Sequence, residues 1–209
     1  YVLAADNMDA FYCSLAYGFP LDAILIAPSP KVYLINYLFT KKSESTPTLL
    51  IAPTHRREEN YSPLEKLLSS DNFVKKLQQI GFKIFYSIHE DGFDIGLTLK
   101  EGIEKFDGDW SNISAVLTDY SSIAADFSLA GGKKIEYYIE DKKDFELTEG
   151  YSEFFEIEMV KHSFSSTPED LESNLKIILE DLAQEKIKKT TKLSLINTDL
   201  FTKELLKIM

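Results

Sequence analysis

The strongest constraint in this chain is a recurring run of five to seven mostly apolar residues, each followed by a stretch with helical spacing. Thr48 to Ala52 (Thr-Leu-Leu-Ile-Ala), Phe82 to Ile88, Ile113 to Leu117 and Lys134 to Ile139 are such runs. A strand facing water on one side alternates polar and apolar residues. A strand without alternation is covered on both faces, as in a parallel sheet flanked by helices. Strands and helices that alternate along the chain point the same way, so the expected fold class is α/β, a mostly parallel sheet with helices on both faces.

The helical segments carry their own punctuation. Asp71 to Ile80 spaces Phe73, Val74, Leu77 and Ile80 along one face, with Asp71 as the expected N-cap and Gly81 as the stop. Thr167-Pro168-Glu169-Asp170 is a helix start: a capping threonine, proline at the first position and acids in the first turn. Leu171, Leu175, Ile178, Leu179 and Leu182 then share a face. Further helices are expected at Lys31 to Thr40, Leu99 to Phe106, Ser121 to Ala130 (closed by Gly131-Gly132) and Leu200 to Ile208. Near the N-terminus, Tyr1 to Ala5 and Asp22 to Ala27 read as strands. Residues 1–209 are thus expected to form a single α/β domain. Within it, 1–40 is an N-terminal strand and helix portion, 41–47 a polar connector, and 48–209 the motif-bearing part. A chain opening inside a strand is expected to be a piece of a larger protein.

The 209 residues hold 23 basic and 34 acidic side chains, a net charge of −11. That sign excludes a general nucleic-acid coat. No apolar stretch approaches the ~20 residues that span a bilayer. The single cysteine, Cys13, has no partner within the chain for a disulfide, as in a reducing compartment. One cysteine and three scattered histidines give no zinc spacing, and no P-loop or Gly-x-Gly-x-x-Gly segment is present. Neither a metal nor a cofactor is expected.

Ligands of parallel sheets bind beyond the carboxyl ends of the strands, and three strand ends here carry suitable side chains. After the first, Ala52-Pro53-Thr54-His55-Arg56-Arg57-Glu58-Glu59 brings together a hydroxyl, an imidazole and the only two arginines of the chain. A guanidinium is a planar fork suited to phosphate. The plainer reading is a surface loop in which the arginines pair with Glu58 and Glu59. The second is Ser87-Ile88-His89-Glu90-Asp91; His89 and His55 follow strands adjacent in sequence and would face one cleft. The third is Thr118-Asp119-Tyr120-Ser121-Ser122-Ile123, a hydroxyl-rich turn leading into a helix that carries Asp126. Such a turn offers unpaired N–H groups to an anion; it equally suits an ordinary N-cap made by Asp119 or Ser121. No Gly-x-Ser-x-Gly elbow surrounds the serines.

Taken together, these segments resemble the CDP-glycerol glycerophosphotransferases of teichoic acid and capsule synthesis. That family carries a Pro-Thr-x-Arg segment, a later His-Pro pair at a strand end, and Asp-Tyr-Ser-Ser-x-x-x-Asp-Phe. Here Pro53 to Arg56, His89 and Asp119 to Phe127 follow in that order, with Glu90 where the family has proline. Asp141 and Gly150-Tyr151 resemble its downstream elements, so the likeness covers roughly residues 48 to 155. It implies a Rossmann-like fold similar to the C-terminal half of a GT-B glycosyltransferase. It also implies a transferase in which a polymer hydroxyl attacks the phosphate of CDP-glycerol and releases CMP. In the site so implied, His89 is catalytic, and Thr54, His55, Arg56, Asp119, Ser121, Ser122 and Asp126 bind substrate. The implied partners are a nucleotide-activated donor, a polymer acceptor, and an N-terminal GT-B domain or partner chain that supplies a second histidine. The expected location is the cytoplasm, with only indirect contact at the inner membrane face, since a charge of −11 is repelled by anionic lipid. Two alternatives share the fold: a GT-B glycosyltransferase using a nucleotide sugar for capsule or lipopolysaccharide, and a non-catalytic anion-binding module.

Overall fold

The structure is a computed structural model and describes residues 2–4, 7–27, 46–54, 56, 62–87, 101–129, 134–148, 155 and 159–187. Its first unit is β1 (Val2–Ala4), α1 (Asn7–Tyr17) and β2 (Ile24–Ile26), the strands pairing in parallel with Val2 opposite Ile24. Ala4, Ala10, Cys13 and Ile24 form its small core. The strand expected from Asp22 begins two residues later, because Leu21–Ala23 closes a 3-10 turn after Pro20. Helix α1 was not expected. Its apolar residues lie on more than one side, with Ala10 and Cys13 buried but Phe11 and Leu15 exposed, so no single stripe marks it.

The second sheet carries the rest. In chain order it comprises β3 (Thr48–Ala52), α2 (Pro63–Ser69), α3 (Asp71–Ile80), β4 (Lys83–Tyr86), β5 (Ile103–Lys105), β6 (Ala115–Thr118), α4 (Ile123–Leu129), β7 (Lys134–Tyr138), α5 (Lys142–Thr148), β8 (Ser163–Ser165) and α6 (Pro168–Ile187). The spatial order is β5-β4-β3-β6-β7-β8, and every pair is parallel. Counted from β3, this is the 3-2-1-4-5-6 arrangement of the Rossmann-like fold. The order reverses between β3 and β6.

Both faces of the sheet are covered, as the unbroken apolar runs require. Leu49, Ile51, Ile84 and Leu117 pack on one side beneath α2, α3 and α6. Leu50, Val116, Ile135 and Tyr137 pack on the other against Ala124 and Phe127 of α4. Each fully buried leucine or isoleucine contributes about 1.5–3 kcal/mol over its exposed state. All five residues of β3 and all four of β6 are buried.

Helix boundaries follow their caps. Ser62 accepts from the Glu65 N–H at 3.1 Å while Glu65 accepts from the Ser62 N–H at 2.8 Å, a capping box that starts α2. Asp71 is not the N-cap expected for α3. It is the first helical residue, Ser70 takes the cap position, and the Ser70 side chain makes no capping bond. Gly81 does close α3, with φ of 113°. Thr167 caps α6, accepting from the Asp170 N–H at 3.2 Å.

One expectation is overturned outright. The helix expected at Leu99 to Phe106 is absent from the described residues of that stretch, 101–106, where Ile103–Lys105 is an edge strand beside β4. Only Ile103 is buried there, and Glu104 and Lys105 are exposed, so no apolar period marks the strand. Strand β8 and helices α2 and α5 were also not expected. The helices expected at 31–40 and 200–208, most of the connector at 41–47, and Gly131-Gly132 lie outside the described residues.

Strand β7 holds a buried acid. Glu136 accepts from the Ser165 hydroxyl and from Asn174 Nδ2, the latter at 3.1 Å, which ties β7 to β8 and α6. Burial pushes its carboxyl up from the ordinary value, against the pull of Ser163, Ser165 and Asn174. The folded state therefore holds a proton that the unfolded chain has released. This contribution is full below the unfolded pKa and is lost as pH climbs through the raised one. Glu136→Gln keeps an acceptor for Ser165 and Asn174 without the charge. Urea denaturation from about pH 4 to pH 8 is expected to show a flatter pH dependence for the variant and equal or greater stability at neutral pH. Parallel curves for the two proteins would refute this.

Candidate functional site

The register of the two central strands builds the site. Ala52 pairs with Thr118, and the Thr118 hydroxyl donates to the Ala52 carbonyl at 2.6 Å. The chain segments leaving β3 and β6 therefore emerge side by side at the point where the sheet order reverses. Asp119, the first residue beyond β6, is 1% exposed and turns toward the β3 loop. Its Oδ1 accepts from the Thr54 N–H and the Thr54 hydroxyl, both at 2.6 Å, and from the Tyr120 N–H at 2.7 Å. Burial pushes the Asp119 carboxyl up, and the Thr54 hydroxyl, the Arg56 guanidinium and the two amides pull it back.

Arg56 completes the cluster. Its Nη2 lies 3.3 Å from Asp119 Oδ2 and 3.2 Å from Asp141 Oδ2. The Arg56 side chain is 9% exposed, against 22% for Asp141. The guanidinium carbon sits 4.3 Å from the centre of the Phe145 ring on α5. Tyr120 stacks flat on that ring at 3.7 Å, and its hydroxyl points to Asp141 Oδ1 at 3.4 Å. Burial is the main cause raising the Tyr120 hydroxyl pKa, with Asp141 adding to it, so the phenol stays protonated. Arg56 Nε is buried and has no hydrogen-bond acceptor among the described residues.

The hydroxyl-rich turn follows at once. Ser121 Oγ accepts from the Ile123 N–H at 3.4 Å, and the Ser122 carbonyl accepts from the Asp126 N–H at 3.2 Å. Ser121 and Asp126 are half-buried and Ser122 is exposed. The cap at the start of α4 is thus shared by the two serines. Asp119 takes no part in it, because its carboxylate is engaged with Thr54 and Arg56.

Of the residues singled out from sequence, Thr54, Arg56 and Asp119 are in direct contact, Ser121 and Ser122 lie on the adjoining turn, and Asp126 sits within α4. His55 and His89 lie outside the described residues, as do Arg57, Glu58, Glu59 and Glu90. Tyr120 and Asp141 belong to the segments that carry the family resemblance but are not among the expected site residues, Phe145 is in neither group, and Gly150-Tyr151 lies outside the described residues. Asp141 stands just beyond the end of β7, the next strand in the sheet, so the strand-end rule that selected Thr54 and Asp119 reaches it too. Among the described residues, no group of three or more His, Cys, Asp or Glu could hold a metal ion, and no helix is long and apolar enough to cross a membrane.

The sheet order and the polar cluster at its reversal define a Rossmann-like α/β protein with a strand-end site. Solved structures of the wall teichoic acid polymerase TagF are similar to it. One has a TM-score of 0.64 at 15% identity and covers 100% of this chain. A TagF variant soaked with CDPG has a TM-score of 0.62 at 16% identity, again over 100% of this chain. The chain spans 59% and 58% of the length of those two TagF chains. No model of a known protein family matches the chain, and neither does any curated protein.

Removing the Asp119 carboxylate takes the acceptor from the Thr54 amide and hydroxyl and the Tyr120 amide, and leaves Arg56 with Asp141 alone. Asp119→Ala is expected to cost about 3–5 kcal/mol, and Asp119→Asn less, since an amide oxygen still accepts from Thr54. Urea unfolding of the two variants measures this; losses no larger than those of surface substitutions would remove Asp119 as the joint between the loops.

Proposed function

We propose that this chain binds the nucleotide-activated donor of a polyol-phosphate transferase, with CDP-glycerol as the donor and a cell-surface polymer as the acceptor. The observation carrying this reading is the placement of Thr54, Arg56 and Asp119 at the reversal of the sheet, in a chain that resembles TagF along its whole length. The teichoic-acid-type motifs around Thr54, Asp119 and Ser121 support it independently of the fold.

In the reaction so proposed, an acceptor hydroxyl attacks the glycerol-bearing phosphate, a new P–O bond forms, and the bond to CMP breaks. The protein contributes orientation and charge stabilisation more than covalent chemistry. Arg56 offers its guanidinium to the phosphates, and Ser121 and Ser122 offer hydroxyl and amide donors. Asp126 and Thr54 support that turn and loop, and Asp119 fixes the position of Arg56. His55 and His89 are assigned from the motif alone, His89 as the catalytic group at the leaving phosphate. The acceptor base comes from an N-terminal GT-B domain or a partner chain, which also makes any contact with the cytoplasmic membrane face.

Calorimetric titration with CDP-glycerol, CMP, CDP and a panel of UDP- and GDP-sugars tests the reading. Selective binding of cytidine nucleotides is expected. Preference for a nucleotide sugar would replace it with the glycosyltransferase, and no binding across the panel would sink it. Arg56→Ala is expected to weaken nucleotide binding by about 1–3 kcal/mol, the worth of a charged hydrogen bond, and Ser121→Ala by less. Unchanged affinity of Arg56→Ala would take that guanidinium out of the binding step.

A further inference from the structure

The acids around Arg56 are not equivalent. Asp119 is 1% exposed, and three donors within 2.7 Å hold its Oδ1, so it stays in place whatever binds nearby. The Asp141 side chain is 22% exposed, and its described contacts are Nη2 of Arg56 at 3.2 Å and the Tyr120 hydroxyl at 3.4 Å. A single guanidinium between two carboxylates leaves no surplus positive charge for an incoming anion. Yet Arg56 Nε is buried with no acceptor among the described residues, and a buried donor without a partner is costly. One donor of the fork is thus unused, and of the two acids on Nη2 one is buried and the other more exposed.

We infer that Asp141 is an exchangeable counter-ion: it occupies Arg56 in the free protein and is displaced by the phosphate of the donor, while Asp119 keeps the guanidinium in position. This rests on the nucleotide reading for the identity of the ligand, and on the geometry for the exchange itself. Asp141 is a positioning residue that acts through Arg56. It keeps the Arg56 charge neutralised in the free protein and weakens binding of any anion that does not make full use of the fork. A merely structural acid would behave differently, since its removal would lower stability and affinity together.

Arginine Nε–H resonances provide the readout, because the chain has two arginines and Arg57→Lys assigns the signal of Arg56. The native chain, Asp141→Asn and Asp119→Asn are titrated with pyrophosphate and with CDP, following both affinity and the Arg56 signal. Asp141→Asn is expected to bind both probes about 2- to 5-fold more tightly, the worth of a partly exposed ion pair, although its thermal midpoint falls. Asp119→Asn is expected to bind them more weakly. In the native chain, pyrophosphate is expected to shift the Arg56 Nε–H signal, a measurement that needs no variant to fold. Equal or weaker binding by Asp141→Asn, or an Arg56 signal indifferent to saturating pyrophosphate, overturns the inference. Pyrophosphate that shifts Arg56 without any preference for cytidine nucleotides removes the donor reading and leaves the exchange standing. CDP binding with an unmoved Arg56 signal does the reverse.

Discussion

A carboxylate withdrawn from water is tolerated only where donors fill its acceptor positions, and Asp119 meets that condition with groups from two different loops. Thr54 and Arg56 come from beyond β3, and Tyr120 follows Asp119 itself beyond β6. The bonds fix the two loops relative to each other at the place where the sheet leaves room for a ligand. Arg56 extends the same fastening to β7 through Asp141 and to α5 through Phe145. One buried acid thereby sets the geometry of four chain segments. Its register is inherited from the sheet, because Ala52 opposite Thr118 brings Thr54 within reach of Asp119.

That dependence explains which parts of the fold could be read in advance. Strands β3 and β6 lie at the centre, buried on both faces, and their apolar runs state this directly. The edges do not. In β5 only Ile103 is buried, and in β8 Ser165 is buried while Phe164 is 44% exposed, which reverses the usual sense of the residues. Three residues at a sheet edge are held by backbone pairing with a neighbour, so their side chains carry little of the signal. Helix α2 is a different case. Ser62-Pro63-Leu64-Glu65 spells a capping box, and its local signal was present although the helix was not expected.

The site divides in the same way. Thr54, Arg56 and Asp119 could be chosen from sequence because each follows a recognisable buried strand. What the sequence could not show is the direction in which each side chain turns. Asp119 resembles an N-cap by position, but a carboxylate takes the strongest donors within reach, and across the sheet those are the Thr54 amide and hydroxyl and the Arg56 guanidinium. Tyr120 and Phe145 are 25 residues apart, and their stacking depends on α5 folding back after β7. No local pattern encodes that distance. Only the parallel order of β6 and β7 brings the two rings together.

The charge balance of the chain then fits the site. A net −11 would repel an anion if the charge were spread evenly, but exposed charges farther apart than roughly 8–10 Å are largely screened at physiological salt. In the binding proposed above, what the phosphate meets is local. At the reversal of the sheet it meets a guanidinium already oriented by a buried acid, flanked by aromatic rings that exclude water and strengthen every charge interaction beside them. An acidic protein with two arginines can bind an anion provided one arginine is placed where the field is least screened and its partner acids are unequal in how firmly they are held. If both acids were equally buried, the guanidinium would be neutralised for good. With neither, a lone buried cation would destabilise the strand ends. The pairing of a fixed Asp119 with a more exposed Asp141 avoids both outcomes.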